Sequence, residues 1–176
     1  MTDTTSGRAD ARLLEPSRLA DVVAIQDLAT SYAHAVDDHD WSRWEALFLP
    51  DAHIDYTSAG GIEGTPAELA AWMPAAMSVF TFCMHSTSTH EIRFIGPETA
   101  TGRVHVFNRN GVNWEGNPEI VDVGAVYEDT YTRVGDRWRF ASRVERTTYI
   151  AGGAFADMIR KSAVAAARGG RTPPFG

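Results

Sequence analysis

The sequence predicts an α+β protein built on a strongly curved, mostly antiparallel sheet, with amino-terminal helices over its concave face. Apolar residues first recur at helical spacing, and four long segments then alternate β-branched or aromatic residues with polar ones. Strands of this length must twist and curl, so helices lying across the hollow side would leave a cavity closed at one end. We therefore expect an α+β barrel with an internal pocket.

The length and composition indicate a single domain. The chain has 176 residues and is 44% hydrophobic, which suits one well-buried core and is too little for two. We predict that residues 18–168 form this domain, because residues 1–17 and 169–176 are polar and lack an apolar period. These two ends are expected to be a flexible arm and a flexible tail.

The charge and the cysteine content exclude several classes of partner. The formal net charge is -7, from 16 Lys and Arg against 23 Asp and Glu, which argues against binding to nucleic acid or to an anionic membrane. Cys83 is the only cysteine, and the amino terminus lacks the apolar core of a secretory signal. No stretch approaches the roughly 20 apolar residues that a membrane span needs. These features predict a cytoplasmic protein without a membrane contact.

Three helices are predicted before the long strands. The first starts at Leu19, where apolar residues begin to recur every three or four positions, and it ends at "DDHDW". A second, short helix is expected from Trp41 to about Phe48, stopped by "PD". "HIDYTS" then predicts a short strand and "GGIEG" a turn. The third helix begins at "TPAE", in which Thr65 is the cap and Glu68 completes a capping box.

Four long strands follow, each bounded by turn residues. Gly96 with Pro97, the sequence "EGNPE", and Gly135 with Asp136 mark the turns. The predicted strands cover residues 79–95, 100–114, 120–134 and 137–150, and residues 154–167 form a closing amphipathic helix.

Alternation along these strands sorts their polar residues between two faces. In "CMHSTSTH", His85 and His90 are five positions apart, so both can face the cavity only if a bulge intervenes. Periodicity alone does not choose between them. On the second long strand, Asn108 shares a face with Val104 and Val106 and is a candidate for the inner surface.

The fourth long strand is predicted to turn its more apolar face inward. Arg146 would then be a charge on the inner face, which requires either an internal carboxylate or a ligand. The inward set is Phe140, Ser142, Val144, Arg146 and Thr148, and the outward set includes Arg139, Arg143 and Glu145.

A carboxylate at the end of the first helix is placed to reach the sheet. Asp37 follows Tyr32 by five positions, where the chain turns towards the second helix. If it holds one ring nitrogen of His85, the other nitrogen becomes more basic, as general-base catalysis requires. Tyr32 and Tyr56 would supply phenol donors beside a carbonyl or a leaving hydroxyl. A strand histidine satisfied by neighbouring hydroxyls is the commoner arrangement, so the residues alone leave the role of His85 open.

Several segments together resemble the SnoaL-like family, whose fold is the cone-shaped, cystatin-like α+β barrel of ketosteroid isomerase and scytalone dehydratase. The resemblance covers about residues 20–150 and rests on "AIQDLATSYAHAVDDHDWSRWEALFLPDAHIDY", "MHSTSTHEI", "TATGRVHVF" and "DTYTRVGDRWRF". The chain looks most like the dehydratase branch, which includes bile acid dehydratase and hexachlorocyclohexane dehydrochlorinase. Those enzymes remove a proton and expel a leaving group with a histidine and aspartate pair, without a metal or an organic cofactor.

The resemblance implies roles for particular residues. "YAHAVD" and "MH" match the branch at Tyr32, Asp37 and His85, which would form the catalytic set. "IDYTS" matches a pocket tyrosine, "RVERTTY" resembles the segment around a pocket arginine, and an asparagine stands where the bile acid enzyme has an aspartate. With two wall residues taken from the periodicity, the expected substrate contacts are Tyr56, Asn108, Arg146, Trp72 and Val144.

With this resemblance, the sequence favours a dehydratase-type lyase that needs neither metal nor cofactor and acts on a hydrophobic cyclic or polycyclic substrate, such as a steroid or polyketide. The same groups suit an isomerase or a cyclase. The small subunit of ring-hydroxylating dioxygenases resembles this fold without being catalytic, so a non-catalytic subunit is the alternative class. No compact ligand spacing indicates a metal site. The family resemblance also implies a homo-oligomer, either a dimer or a trimer.

Overall fold

A computed structural model describes residues 16–167, in which six strands form one sheet and helices flank it. The predicted arm and tail lie almost entirely outside the described residues; Pro16 and Ser17 begin a turn of 3-10 helix that ends at Arg18. Within the described range, no helix combines the length and the apolar character needed to cross a membrane.

Within residues 16–167, four α-helices form, and a side-chain cap begins two of them. The side chain of Asp40 accepts a hydrogen bond from the Arg43 backbone at 2.9 Å and caps the second helix. At the third helix, Thr65 and Glu68 form the predicted capping box. The helices are α1 Leu19–Asp37, α2 Trp41–Glu45, α3 Pro66–Met77 and α4 Ala154–Ala167.

The sheet has the strand order β2-β1-β6-β5-β4-β3, and every neighbouring pair is antiparallel except β1 with β6. Its four long members match the predicted segments closely, and the expected α+β class is confirmed. The strands are β1 Phe48–Asp55, β2 Glu63–Gly64, β3 Phe80–Phe94, β4 Thr99–Trp114, β5 Asn117–Val134 and β6 Arg137–Gly152.

The prediction was wrong around the second helix. The helix ends at Glu45, and the chain has already entered β1 at Phe48, so Pro50 and Asp51 lie inside a strand. Proline has no amide hydrogen to donate to a neighbouring strand. Pro50 is tolerated in β1 because the pairing of β1 with β6 is irregular between Phe48 and His53. "GGIEG", predicted to be a turn, contains the short strand β2.

The core lies between the helices and the concave face of the sheet. In α1 the apolar residues at helical spacing from Val22 onward are buried, and several of them, such as Ile25 and Tyr32, belong to one cluster with Trp44, Phe48 and Phe140. A second, smaller cluster joins Phe155 and Ile159 of α4 to β4, β5 and β6. The helix α4 therefore packs against one end of the barrel, and α1 and α3 cover its hollow side.

Bulges in two strands change which side chains face inward. In β3 the pairing with β4 slips between Ser88 and Glu91, and Thr89 has a φ of 49°. In β6 the pairing with β5 skips Ala141 and again Thr148. Each extra residue reverses the alternation beyond it, since the side-chain period of a strand is two. The polar lining of the barrel depends on these positions.

The outer face of the sheet carries exposed apolar side chains that no described helix covers. Phe82, Met84, Phe107, Ile120 and Tyr149 are each between 44% and 50% exposed, and the strand register brings them onto neighbouring positions of one face. The exposed Arg109–Asp122 ion pair lies among them. Exposed apolar side chains gathered on one face are typical of an interaction site.

We predict that the expected homo-oligomer uses this outer face. Replacing Phe107 and Met84 together by Lys should lower the mass measured by sedimentation equilibrium, because two charges would lie in an apolar contact. Replacing exposed Ile95, on the turn after β3, by Lys is the control and should leave the mass unchanged. An unchanged mass in the double variant would contradict the placement of the interface.

Candidate active site

A cavity lies between α1, α3 and the concave face of the sheet. Ile159 of α4 also contributes to its lining. Its volume is about 130 Å³, and its mouth is open to solvent. Most of its surface is apolar, from residues such as Val36, Met73 and Phe80. Its polar lining consists of Tyr32, Tyr56, Trp72, His85, Asn108, Asn110, Tyr127 and Glu145.

His85 and Asp37 form a hydrogen-bonded pair at the wall of this cavity. The Nδ1 atom of His85 lies 2.6 Å from Oδ1 of Asp37, and the His85 backbone N–H donates to both carboxylate oxygens at 3.1 and 3.0 Å. Only 7% of the His85 side chain and 19% of the Asp37 side chain are exposed. Burial acts to raise the pKa of Asp37, but the hydrogen bonds from His85 prevail and lower it below its ordinary value.

This geometry selects the histidine tautomer. An ionised Asp37 accepts the Nδ1 hydrogen, which leaves Nε2 as the acceptor nitrogen. No described residue forms a hydrogen bond with Nε2 of His85. A proton acceptor oriented by a carboxylate therefore lies on the cavity wall, which is the arrangement of a general base.

Two phenols form the second polar group of the cavity. The hydroxyls of Tyr32 and Tyr56 are 2.7 Å apart and buried, and burial raises the pKa of both, so both remain protonated. One hydroxyl donates to the other, and the accepting hydroxyl keeps its own hydrogen for a further partner. The pair can therefore donate a hydrogen bond to an oxygen atom in the cavity.

A buried ion pair, Arg143 with Asp129, lies against the ring of Tyr32. Arg143 is 1% exposed, and its guanidinium donates two hydrogen bonds to Asp129, at 2.8 and 2.7 Å. The guanidinium carbon also lies 4.1 Å from the ring centres of Tyr32 and Tyr127 and 4.2 Å from that of Phe140. A cation held over aromatic faces fixes those rings in place.

Glu145 is a second carboxyl group of the cavity, and sequence reasoning missed it. It is 6% exposed, and its side chain accepts one long hydrogen bond, 3.4 Å, from the Thr147 hydroxyl. Burial raises the pKa of Glu145 to about 7, against the opposing effects of Thr147 and Arg143. Simple alternation assigned it to the outer face; the bulge at Ala141 turns it inward. No feature of the sequence marks that bulge.

The same bulge turns two of the predicted contact residues away from the cavity. Arg146 is exposed and pairs with Glu128 at 3.2 Å, and Val144 lines a shallow depression on the other side of the sheet. Neither side chain reaches the cavity, so the predicted inward orientation of these two residues is wrong. Arg143, predicted to face outward, takes the buried position.

The other predicted residues come together in the cavity. Tyr32, Asp37 and His85 lie on or beside its wall, and Tyr56, Trp72 and Asn108 line it. Three buried atoms of this lining, Oδ1 of Asn108, Oδ1 of Asn110 and Nε1 of Trp72, have no hydrogen-bond partner among the described residues. Such atoms are suited to a bound ligand that carries hydrogen-bonding groups.

His90 and Cys83 also face inward. Because of the bulge at Thr89, His90 shares the concave side with His85, and its Nε2 lies 3.1 Å from the Tyr131 hydroxyl, which donates to Asp129. His90 therefore belongs to the buried network around Arg143, away from the cavity lining. Burial, with a contribution from Asp37, raises the pKa of Cys83 to about 12, so the thiolate needed for a nucleophile is not formed at neutral pH.

The curved sheet, its covering helices and the internal cavity define a class of small α+β proteins, and comparison with known proteins agrees on this fold. The chain belongs to the SnoaL-like domain family, whose profile matches residues 17–144. Among the described residues, no cluster of three or more histidine, cysteine, aspartate or glutamate side chains is arranged to hold a metal ion.

Individual relatives support the same assignment. The chain is 31% identical over 136 residues to an uncharacterized protein of Mycobacterium tuberculosis, covering 77% of this chain and 91% of that one. It is 29% identical over 132 residues to the gamma-hexachlorocyclohexane dehydrochlorinase of Sphingobium indicum, covering 75% and 83%. A solved scytalone dehydratase-like protein of Novosphingobium aromaticivorans is 24% identical, with a TM-score of 0.68 and coverage of 77% and 89%, and shares the fold.

We predict that breaking the buried ion pair destabilises the protein strongly. Replacing Asp129 by Asn should lower the free energy of unfolding by about 3–5 kcal/mol, since it leaves the buried Arg143 charge without its partner. Urea denaturation measures the effect. The matched control is Glu128→Gln, the neighbouring residue in an exposed pair, which should leave the stability almost unchanged. Equal effects of the two changes would contradict the argument.

Glu145 should also make stability depend on pH. Its pKa of about 7 in the folded protein lies above the ordinary value of 4.5, so the folded state holds the proton more tightly. The free energy of unfolding therefore falls as the pH rises from about 4.5 to about 7, by on the order of 3 kcal/mol. This loss is absent from Glu145→Gln. If the free energy of unfolding changed with pH in the same way in wild type and in the variant, Glu145 would be ionised throughout this range.

Proposed function

We propose that this protein is a cofactor-independent lyase of the dehydratase type, which removes a proton beside a carbonyl group and expels a leaving group from a hydrophobic cyclic substrate. The observation that carries the proposal is the 2.6 Å contact between His85 and Asp37 at the cavity wall. It leaves Nε2 of the histidine as a proton acceptor facing an apolar site. The dehydrochlorinase among the relatives also supports an elimination reaction.

The His85–Asp37 pair and the two phenols each have a role in the proposed reaction. The Nε2 atom of His85 takes the proton, and the negative charge of Asp37 stabilises the imidazolium that forms. Electrons from the broken C–H bond move towards the carbonyl oxygen, and the Tyr32–Tyr56 pair donates a hydrogen bond to that oxygen. When these electrons return from the oxygen to the carbon skeleton, a carbon–carbon double bond forms and the bond to the leaving group breaks. The products are an enone and the released group.

The unpaired polar atoms of the lining support a substrate with polar substituents. Trp72 contributes an N–H donor and Asn108 an amide oxygen, each on a different element of the cavity wall. These two atoms would orient a ring system through hydrogen bonds, and the apolar side chains around it would provide most of the contact area. This combination is usual in small-molecule sites. An isomerase acting on a similar enone would use the same base, so the reaction products must decide between the two reactions.

We expect that His85→Ala lowers the turnover of a bicyclic test substrate, a β-hydroxyindanone, by roughly 10² to 10⁴ if His85 is the general base. Formation of the enone is followed by its absorbance, and product analysis separates elimination from isomerisation. His90→Ala is the matched control from the same strand and should change turnover little. Similar, small effects of both changes would contradict the assignment of His85.

Asp37→Asn tests the second member of the pair. The amide keeps the shape of the side chain but loses the charge that stabilises the imidazolium, so turnover should fall while the thermal unfolding transition stays cooperative. A protein that no longer folds would indicate that the carboxylate serves the structure through its two bonds to the His85 backbone.

A further inference from the structure

Glu145 is a cavity-lining carboxyl group that the reaction proposed above does not use. It lies on β6, whereas His85 lies on β3, and two strands of the curved sheet separate them. Both side chains line the same cavity, so they approach it from different walls. The β6 backbone is held firmly at this point, because Ser58 donates to the Glu145 carbonyl at 2.7 Å and accepts from the Thr147 amide at 3.0 Å.

The charges around Glu145 do not compensate a carboxylate. Arg143, the cation that favours ionisation of Glu145, is already paired with Asp129 through two hydrogen bonds. No described residue forms a salt bridge with Glu145, and Asp55 on β1 acts against its ionisation. The remaining titratable groups that face it are neutral phenols: Tyr32 from α1 and Tyr127 from β5. A buried carboxyl group in such surroundings retains its proton.

Resting on the lyase function proposed above, we infer that Glu145 is the proton donor to the leaving group, and that the substrate therefore loses a hydroxyl group. A hydroxyl group leaves with difficulty as hydroxide and readily as water, so its elimination needs an acid. A halide leaves without a proton and would have no use for a neutral carboxylic acid in an apolar cavity. This chain would then differ in its leaving group from its dehydrochlorinase relative.

The protons balance with two groups. His85 takes a proton from the carbon beside the carbonyl, and Glu145 gives a proton to the oxygen of the leaving hydroxyl as the C–O bond breaks. The products are an enone and water. His85 is then protonated and Glu145 ionised, so the transfer of one proton from His85 to Glu145 through solvent restores the starting state. No oxidant, reductant or cofactor enters the reaction.

The test compares two substrates that differ only in the leaving group: a β-hydroxyindanone and the β-chloroindanone of the same skeleton. Glu145→Gln keeps the shape and the polarity of the side chain but cannot release a proton. It should lower turnover of the hydroxy substrate by roughly 10² to 10⁴ and leave that of the chloro substrate within about threefold. Glu128→Gln, on the exposed face, is the control and should affect neither.

The dependence on pH gives a second readout that a structural role would not change. Wild-type turnover of the hydroxy substrate should fall as the pH rises through about 7, where Glu145 ionises, and turnover of the chloro substrate should not. An equal loss with both substrates in Glu145→Gln would overturn the inference, because it would mark a positioning role.

Infrared spectroscopy separates this inference from the proposed function. Subtracting the spectrum of Glu145→Gln from that of wild type at pH 6 should reveal the C=O stretch of a neutral carboxylic acid. If wild type eliminates neither leaving group, the lyase proposal fails and the role of Glu145 as a leaving-group donor fails with it, even where the acid is neutral. If His85→Ala abolishes both eliminations but the spectrum reveals an ionised Glu145, the lyase proposal stands and the donor is overturned.

Discussion

The buried contact between Arg143 and Asp129 is the interaction around which the barrel interior is arranged. A guanidinium that is 1% exposed requires a carboxylate partner and hydrogen bonds, and Asp129 provides both. The charge is also enclosed by aromatic rings at about 4 Å, so the positions of Tyr32 and Tyr127 follow from it. The ion pair therefore fixes the position of two tyrosine rings that line the cavity.

This arrangement gives the two carboxyl groups of the site different properties. Asp37 has three hydrogen bonds from His85 to its oxygens and is partly open to solvent, so it is ionised and orients a base. Glu145 is more deeply buried, and Arg143, the cation that acts on it, is already paired with Asp129, so Glu145 favours the neutral form. Two carboxyl groups of similar intrinsic acidity thus acquire the opposite protonation states that an elimination with an acid and a base requires.

Much of the architecture was accessible from local patterns. The stripe from Leu19 onward, the capping box at Thr65 and the long alternating segments each report on contacts between near neighbours, and the structure contains all of them. The boundary at Phe48 was missed because the aromatic residues from Trp41 onward fit helical spacing, whereas the pairing of β1 with β6 decides the conformation. The contact between Asp37 and His85 was anticipated through the family resemblance, since 48 positions separate the two residues.

Composition and periodicity were sufficient for the fold class, the order of the elements and the identity of the histidine–aspartate pair when joined to that resemblance. Only the tertiary structure decided which polar residues of β6 face the cavity. One extra residue at Ala141 exchanges Arg146 and Val144 for Arg143 and Glu145, because a strand reverses its faces at every added position. The place of that residue is set by pairing with β5 and by the burial of Arg143 against Asp129, and both are contacts between distant parts of the chain.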